Sequence, residues 1–337
     1  MAFLRSPDPR TGLYLRWPLL AGVLIALPFI GLTGYELHLL IISAIFVILS
    51  SSLSLIMGYG GLLSLAHAAF FGIGAYTSAL LFMNFRLSMW VGLPAAGIVS
   101  AIAAICVGSL FLKVRGHRFV ITSLAFVEIM RLIAVNAVDL TRGQMGLPGI
   151  AAPILTIPGI GTIDFASKTA FYFLAVGGAA ICVWTVARIV HSPIGWGLLA
   201  LRENENLGES VGVSAFRHAM IAFVVGAFFA GIAGSLYAHY TGFVSPDLFF
   251  FSYTVTMLVM VVIGGKATIL GPIVGAIAFT FLPEYLRVVA QYRLVLVGVV
   301  LLATVLAFPN GLVELWSRWL RPALLHLRTL RSRDNAA

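Results

Sequence analysis

The chain has 337 residues, of which 61% are hydrophobic and only 10% charged. A soluble domain averages roughly 45–50% apolar and about 25% charged residues, so a soluble protein with one aqueous core is excluded. The formal charge of +9 does not point to nucleic acid, because the cations are not gathered on one segment. They fall between apolar runs, as membrane topology requires.

A bilayer is crossed by a helix of about 20 apolar residues. By that ruler the sequence predicts about ten segments, at 17–33, 37–56, 62–83, 90–112, 119–137, 169–190, 218–240, 248–265, 269–289 and 293–308. The first follows Arg5, Arg10 and Arg16, is longer than a signal-peptide core and lacks a convincing cleavage site after it, so it reads as retained. The third and fifth are rich in small or polar residues and read as candidates for broken or re-entrant segments. The fold class expected is an all-α polytopic membrane protein, a bundle of about 8–10 transmembrane helices. The expected organisation is a tail at 1–16, one membrane domain at 17–310 and a basic tail at 311–337. Cys106 and Cys182 both lie inside apolar runs, and no CxxC pattern exists, so neither a disulfide nor a metal site is expected.

Orientation follows from the Lys/Arg bias. With both termini inside, Lys113, Arg115, Arg118, Arg188, Arg202, Arg217 and Lys266 join the tail arginines on the inner side. Only Arg86, Arg142, Lys168, Arg287 and Arg293 fall outside, and only Arg131 falls within a span. Both termini are therefore expected in the cytoplasm. Two connections are long: residues 138–168, full of Gly and Pro and expected outside, and residues 191–217, of mixed charge and expected inside.

The stretch "GYGGLLSLAHAAFFGIGAYTSALL", 58–81, resembles a glycine-rich phosphate loop only in composition, since no strand precedes it. Its small residues recur at helical spacing, with Ser64, Ala68 and Gly72 on one line and Ala75 and Ala79 beside them. Small residues one turn apart let helix backbones approach closely, so the stretch reads as a packing face and a candidate pathway lining. Gly226, Ala230 and Gly234, and Ala267, Gly271 and Gly275, repeat the device. "GGKAT", 264–268, fails as a Walker motif because Met260 and Ala267 stand where glycine and Ser or Thr are needed.

Within the fifth segment, Glu128 and Arg131 stand three residues apart on one helix face. Each costs about 2.5–3.5 kcal/mol at a span centre, so a lipid-facing position is disfavoured. Two readings stay open: a polar element lining a transport route, and a structural pair bracing the helix. Ser64, His67, Gly72 and Asn136 are the other candidate pathway residues. No HExxH, GxSxG or catalytic pair of acids exists, so no catalytic residue is expected.

In the inner loop, Ser192 caps a short amphipathic helix whose first position is Pro193 and which runs to about Asn206. It would place Leu198 and Leu201 on one side and display Arg202, Glu203 and Glu205 elsewhere, before Gly208 and Gly212 break the pattern. Such a helix is a contact for a partner or lines the membrane surface.

Six stretches, "GYGGLLSLAHAAFFGIGAYTSALL", "RGHRFVITSLAFVEIMRL", "GQMGLPGI", "SPIGWGLLALRENENLGESVGVS", "AFFAGIAGSLYAHYTGFVSPD" and "VIGGKATILGPIVGA", occur in the order seen in branched-chain amino acid ABC transporter permeases. The chain is similar to the LivM subunit type of the LivH/LivM permease family over roughly residues 35–310. The resemblance implies a permease subunit of an ATP-driven importer in a bacterial inner membrane. Its implied partners are a second permease of the LivH type, two ATPase subunits that carry ATP and Mg²⁺, and a periplasmic solute-binding protein. This chain itself would hold no cofactor.

The resemblance also implies that Ser192–Ser214, within the loop at 191–217, is the coupling segment, with Arg202, Glu203, Asn204, Glu205 and Gly212 on its better-matched positions. Pro193, Leu198 and Leu201 of the amphipathic helix are the other expected coupling residues. The chain departs from the family's pattern at Lys266, at His117–Arg118 and in "ENLGESVG", which lacks the alanines of the usual importer motif. The alternatives are an ion-coupled secondary transporter or channel, in which intramembrane acids would matter, and a membrane scaffold without transport.

Overall fold

The computed structural model describes residues 27–29, 31, 33–114, 116–157, 161–285, 298, 302 and 311–315. The expected first and last segments and both tails lie almost wholly outside these residues. Within them stand six helices long and apolar enough to cross a membrane. They are α1 (Gly34–Ser54), α2 (His67–Phe85), α3 (Met89–Phe111), α4 (His117–Asn136), α5 (Lys168–Val190) and α8 (Ala215–Thr241). Between α5 and α8 lie α6 (Pro193–Glu203) and α7 (Glu205–Ser210); α9 (Phe251–Gly264) and α10 (Leu270–Tyr285) follow. The chain is an all-α polytopic membrane protein.

Local chemistry sets the helix ends. Thr33 and Glu36 form a reciprocal capping box at the start of α1, and Ser88, Ser167 and Ser214 accept from backbone N–H groups at the starts of α3, α5 and α8. Helix α8 ends at Gly242, whose φ of +67° is the left-handed conformation that terminates a helix.

Helix α8 runs between α2 and α3, and the small residues are the reason it fits. A Cβ placed on Gly74 would run into the backbone of Gly231, and one on Gly234 would meet the Phe71 carbonyl and the Ala75 nitrogen. One on Gly231 would also reach the Ala96 carbonyl. The two glycine-rich stretches are thus the two halves of one contact. Polar groups close it: Ser235 Oγ donates to Ser78 Oγ (2.8 Å), which pairs with His239 Nε2 (3.0 Å), and Ser100 Oγ donates to the Phe70 carbonyl (3.1 Å). Helix α1 lies against α5, where the Cys182 thiol donates to the Ile48 carbonyl at 3.6 Å. It also lies against α10, where Ser50 Oγ donates to the Pro272 carbonyl at 3.0 Å. Gly264, Gly271 and Gly275 let α9 and α10 pack backbone to backbone. Cys106 and Cys182 are both free thiols.

Several expectations need correction. The fifth predicted segment is one continuous helix, α4. The third is likewise one continuous helix, α2, but begins only at His67: α1 ends in a π-helical turn at Leu55–Tyr59, and the chain then runs non-helically up to α2. Ser64 therefore lies off the helix and does not share a helical line with Ala68 and Gly72. The eighth segment is also shorter than expected, because residues 243–250 are not α-helical. Phe243–Val244 pairs antiparallel with Leu147–Pro148, and Pro246–Phe249 forms a 3-10 turn. In the 138–168 connection, strands Ile154–Ile157 and Gly161–Asp164 form a hairpin.

Candidate functional site

The two non-helical breaks lie against shared neighbours. The second sets Phe249 on α2 and Phe250 beside Arg131 of α4, and the first bonds to α4 and α9 through Leu65. The Leu65 N–H donates to Ser123 Oγ of α4 (3.0 Å), and the Leu65 carbonyl accepts from Thr254 Oγ1 of α9 (3.2 Å). Irregular backbone at membrane depth is tolerated only where protein buries it or a watery cavity receives it. Interrupted helices are also where transporters place their binding sites. Here side-chain hydroxyls from neighbouring helices take up the freed backbone groups.

The candidate pathway residues gather unevenly around this junction. Ser64 is buried within the first break, its Oγ accepting from the Ala66 N–H at 3.3 Å. His67 is fully buried at the start of α2, with Nε2 2.9 Å from Ser52 Oγ; its Nδ1 has no protein partner among the described residues. Gly72 lies beneath the Phe249 ring with no room for a Cβ, and the same ring stacks on Tyr76 at 5.9 Å. The second break thus carries Phe249 onto the second turn of α2.

Glu128 and Arg131 stand elsewhere. Arg131 Nε donates to both carboxylate oxygens of Glu128 (3.0 and 2.9 Å), and Nη2 donates to Oε1 at 2.5 Å. The pair faces outward, with side-chain exposures of 52% for Glu128 and 25% for Arg131. The Arg131 guanidinium lies 5.9 Å from the centre of the Phe250 ring. Only 28% of the most apolar window of α4 is buried, against 78% for α1. Asn136, at the end of α4, is exposed and donates to the Leu132 carbonyl at 2.8 Å. It is not brought to the junction.

A second site forms at the end of the bundle where α6 begins. Ser192 caps α6 by accepting from the Ile194 N–H (3.2 Å), with Pro193 in its first turn. Gly195 and Gly197 let the helix lie against Val190 and the His218 ring. Leu198 is buried and Leu201 half-buried, as their positions predict. The helix ends at Glu203 rather than near Asn206, because Asn204 leaves helical geometry (φ −157°, ψ 107°) and caps α7 instead, accepting from the Leu207 N–H at 3.1 Å. Gly212 follows at φ +89°, a conformation that favours glycine.

Arg202 connects this segment to the first break. Its Nη1 donates to the Gly58 carbonyl (2.8 Å), its Nη2 pairs with Glu203 (2.9 Å), and its Cγ lies against Gly61, where a Cβ would come within 2.6 Å. A cavity of about 770 Å³ opens beside it, its wall including Gly60, Lys113, His117, Arg202 and Glu205. Three apolar side chains are displayed to the outside here: Trp196 (63% exposed), Leu207 (64%) and Val211 (71%). Sequence reading passed over them, although large apolar residues among the charges of a loop are a legible sign of a contact surface.

A sequence profile described as "Branched-chain amino acid transport system / permease component" matches residues 36–305. The chain belongs to this family of permeases. The high-affinity branched-chain amino acid transport system permease protein LivM of Salmonella typhimurium is 31% identical over 87% of this chain and 73% of its own length. LivM of Escherichia coli is 31% identical over 86% and 72%. LivH of Salmonella typhimurium is 25% identical over 80% and 91%. No solved structure matches. The matched relatives are permease components, and the six long apolar helices agree with a multi-pass permease of the membrane.

The permease's second break, centred on "SPDLFF" at 245–250, is another feature that sequence reading missed. Its signals were Pro246, an Asp at 247 and a run of three phenylalanines too short and aromatic to be read as a span end.

Proposed function

We propose that this chain is one of two related permease subunits of an ATP-driven importer that moves branched-chain or related amino acids across a bacterial inner membrane. The other permease is of the LivH type. Two ATPase subunits bind ATP and Mg²⁺ and dock on α6–α7, a solute-binding protein delivers substrate to the opposite end, and both termini lie in the cytoplasm. The observation that carries the reading is the Arg202 link: a segment shaped to receive a partner grips the backbone of the π-helical end of α1. A push on Trp196, Leu207 and Val211 would reach the Gly58–Leu65 break through Arg202 and Leu198, and from there the junction with α4 and α9. Tilting of the close-packed small-residue faces would then alternate access to the two sides.

Purification of the tagged chain from its own membranes in mild detergent, with its partners identified by mass spectrometry, tests the reading. Two ATPases and a second permease are expected, with substrate-stimulated ATP hydrolysis lost in Arg202→Glu and in Gly212→Pro, whose ring forbids φ near +89°. A chain free of ATPase that moves solute along a proton gradient in liposomes would refute the reading and favour an ion-coupled transporter.

A further inference from the structure

Among the described residues, the ion pair on α4 joins two positions of one helix and reaches another element through Phe250. A helix of 20 residues is about 30 Å long, so Glu128 and Arg131 lie about 17 and 21 Å from its start, near the middle of the apolar layer. A bracing pair would link two helices. This one joins two positions on the same helix, and exposed pairs of that kind hold little together. Yet Leu124 and Leu132, one turn to either side of Glu128, and Phe250 beside Arg131 are all exposed, and among the described spans α4 has the least buried apolar window. Acyl chains cannot solvate such a pair, so the face must meet a polar occupant or a watery route.

The arrangement has a chemical complement. A carboxylate beside a guanidinium is a fixed dipole, and a free amino acid carries the complementary charges on an ammonium and a carboxylate. Three hydrogen bonds to Glu128 occupy Arg131 through Nε and Nη2, and its Nη1 edge takes no part in them. That edge can receive a carboxylate, for which the planar fork of arginine is suited. The exposed Phe250 ring beside it offers apolar area to an aliphatic side chain. The second break, which carries Phe250 to Arg131, is the irregular backbone expected near a binding site.

We propose that the Glu128–Arg131 pair, with Phe250, holds the zwitterionic head of an amino-acid substrate at mid-membrane, Arg131 taking the carboxylate and Glu128 the ammonium. The site rests on the amino-acid transport proposed above, with the second permease closing the far wall. It assigns to α4 the substrate-reading role and to the His67 junction the movement.

The test uses the complex that copurifies with this chain, reconstituted in liposomes, with radiolabelled leucine as the probe. The quantity read is leucine delivered per ATP hydrolysed, which a merely structural pair would leave unchanged. Glu128→Gln and Arg131→Gln are expected to lower it roughly tenfold or more, the effect of losing a charge-assisted hydrogen bond. Arg131→Lys is expected to lower it less. The exchange of Glu128→Arg with Arg131→Glu restores an ion pair but reverses the dipole, so it too should fail to deliver leucine.

Delivery at the wild-type ratio by Arg131→Gln or by the exchange variant would overturn the proposal. So would loss of assembly in every variant, since the pair would then be a brace. A wild-type complex that hydrolyses ATP and assembles but moves no amino acid would instead refute the transport reading itself.

Discussion

Gly234→Ala tests whether the bundle is held by backbone contact. A Cβ at Gly234 would sit 2.6 Å from the Ala75 nitrogen, while ordinary contact begins at 3.4 Å. Helices α2 and α8 must therefore part by about 0.8 Å or more (3.4 − 2.6), and neither obstacle is a side chain that could turn away. Parting also stretches the Ser235–Ser78 bond, now 2.8 Å. Overpacking typically costs about 1–3 kcal/mol, and with both walls made of backbone we expect the upper end, about 3 kcal/mol. The melting temperature of the detergent-solubilised protein, followed by monodispersity after heating, should fall by about 6–10 °C. Gly177→Ala is the control: it lies on α5 with nothing within 4 Å of its Cβ direction, and it should melt at or slightly above the wild-type temperature. Equal melting of the two variants would refute the claim that α2 and α8 touch through their backbones.

Ala267 adopts φ +56° in the loop before α10, a conformation that strains any residue with a Cβ. Ala267→Gly is expected to stabilise the protein by up to about 1 kcal/mol, read as a small rise in melting temperature. Asn204→Ala removes the cap of α7 and should cost about 1 kcal/mol locally. Substrate-stimulated ATP hydrolysis by the complex should weaken and be rescued by Asn204→Asp, which keeps the accepting oxygen. The Arg202→Glu and Gly212→Pro variants should uncouple hydrolysis from substrate, and the Glu128 and Arg131 variants should lower leucine delivered per ATP, each as measured above.

Much of this architecture was legible because each element announces itself locally. Ser192 before Pro193 marks the start of α6 without reference to anything distant, and Leu198 and Leu201 reveal its inner side by spacing alone. The end of α6 was harder: Asn204 can continue a helix or cap the next one, and only the geometry chose the cap. The candidate site was less legible. Glu128 and Arg131 were visible as costly charges, but whether they faced the bundle or its outside was not, and Phe250 belongs to a segment whose course is set by contacts with α2 and α4.

The sequence by itself determined that this is a membrane bundle, where most of its described helices lie to within about five residues, and which loop presents a capped amphipathic helix. Those properties follow from hydropathy and capping, which act between near neighbours in the chain. Only the tertiary structure decided that the stretches at 58–81 and 226–234 are halves of one contact, that Leu65 bonds to both α4 and α9, and that Glu128 and Arg131 face outward. In a membrane, lipid and protein interior are equally apolar, so hydropathy does not say which face of a helix is covered; close packing of residues far apart in sequence does.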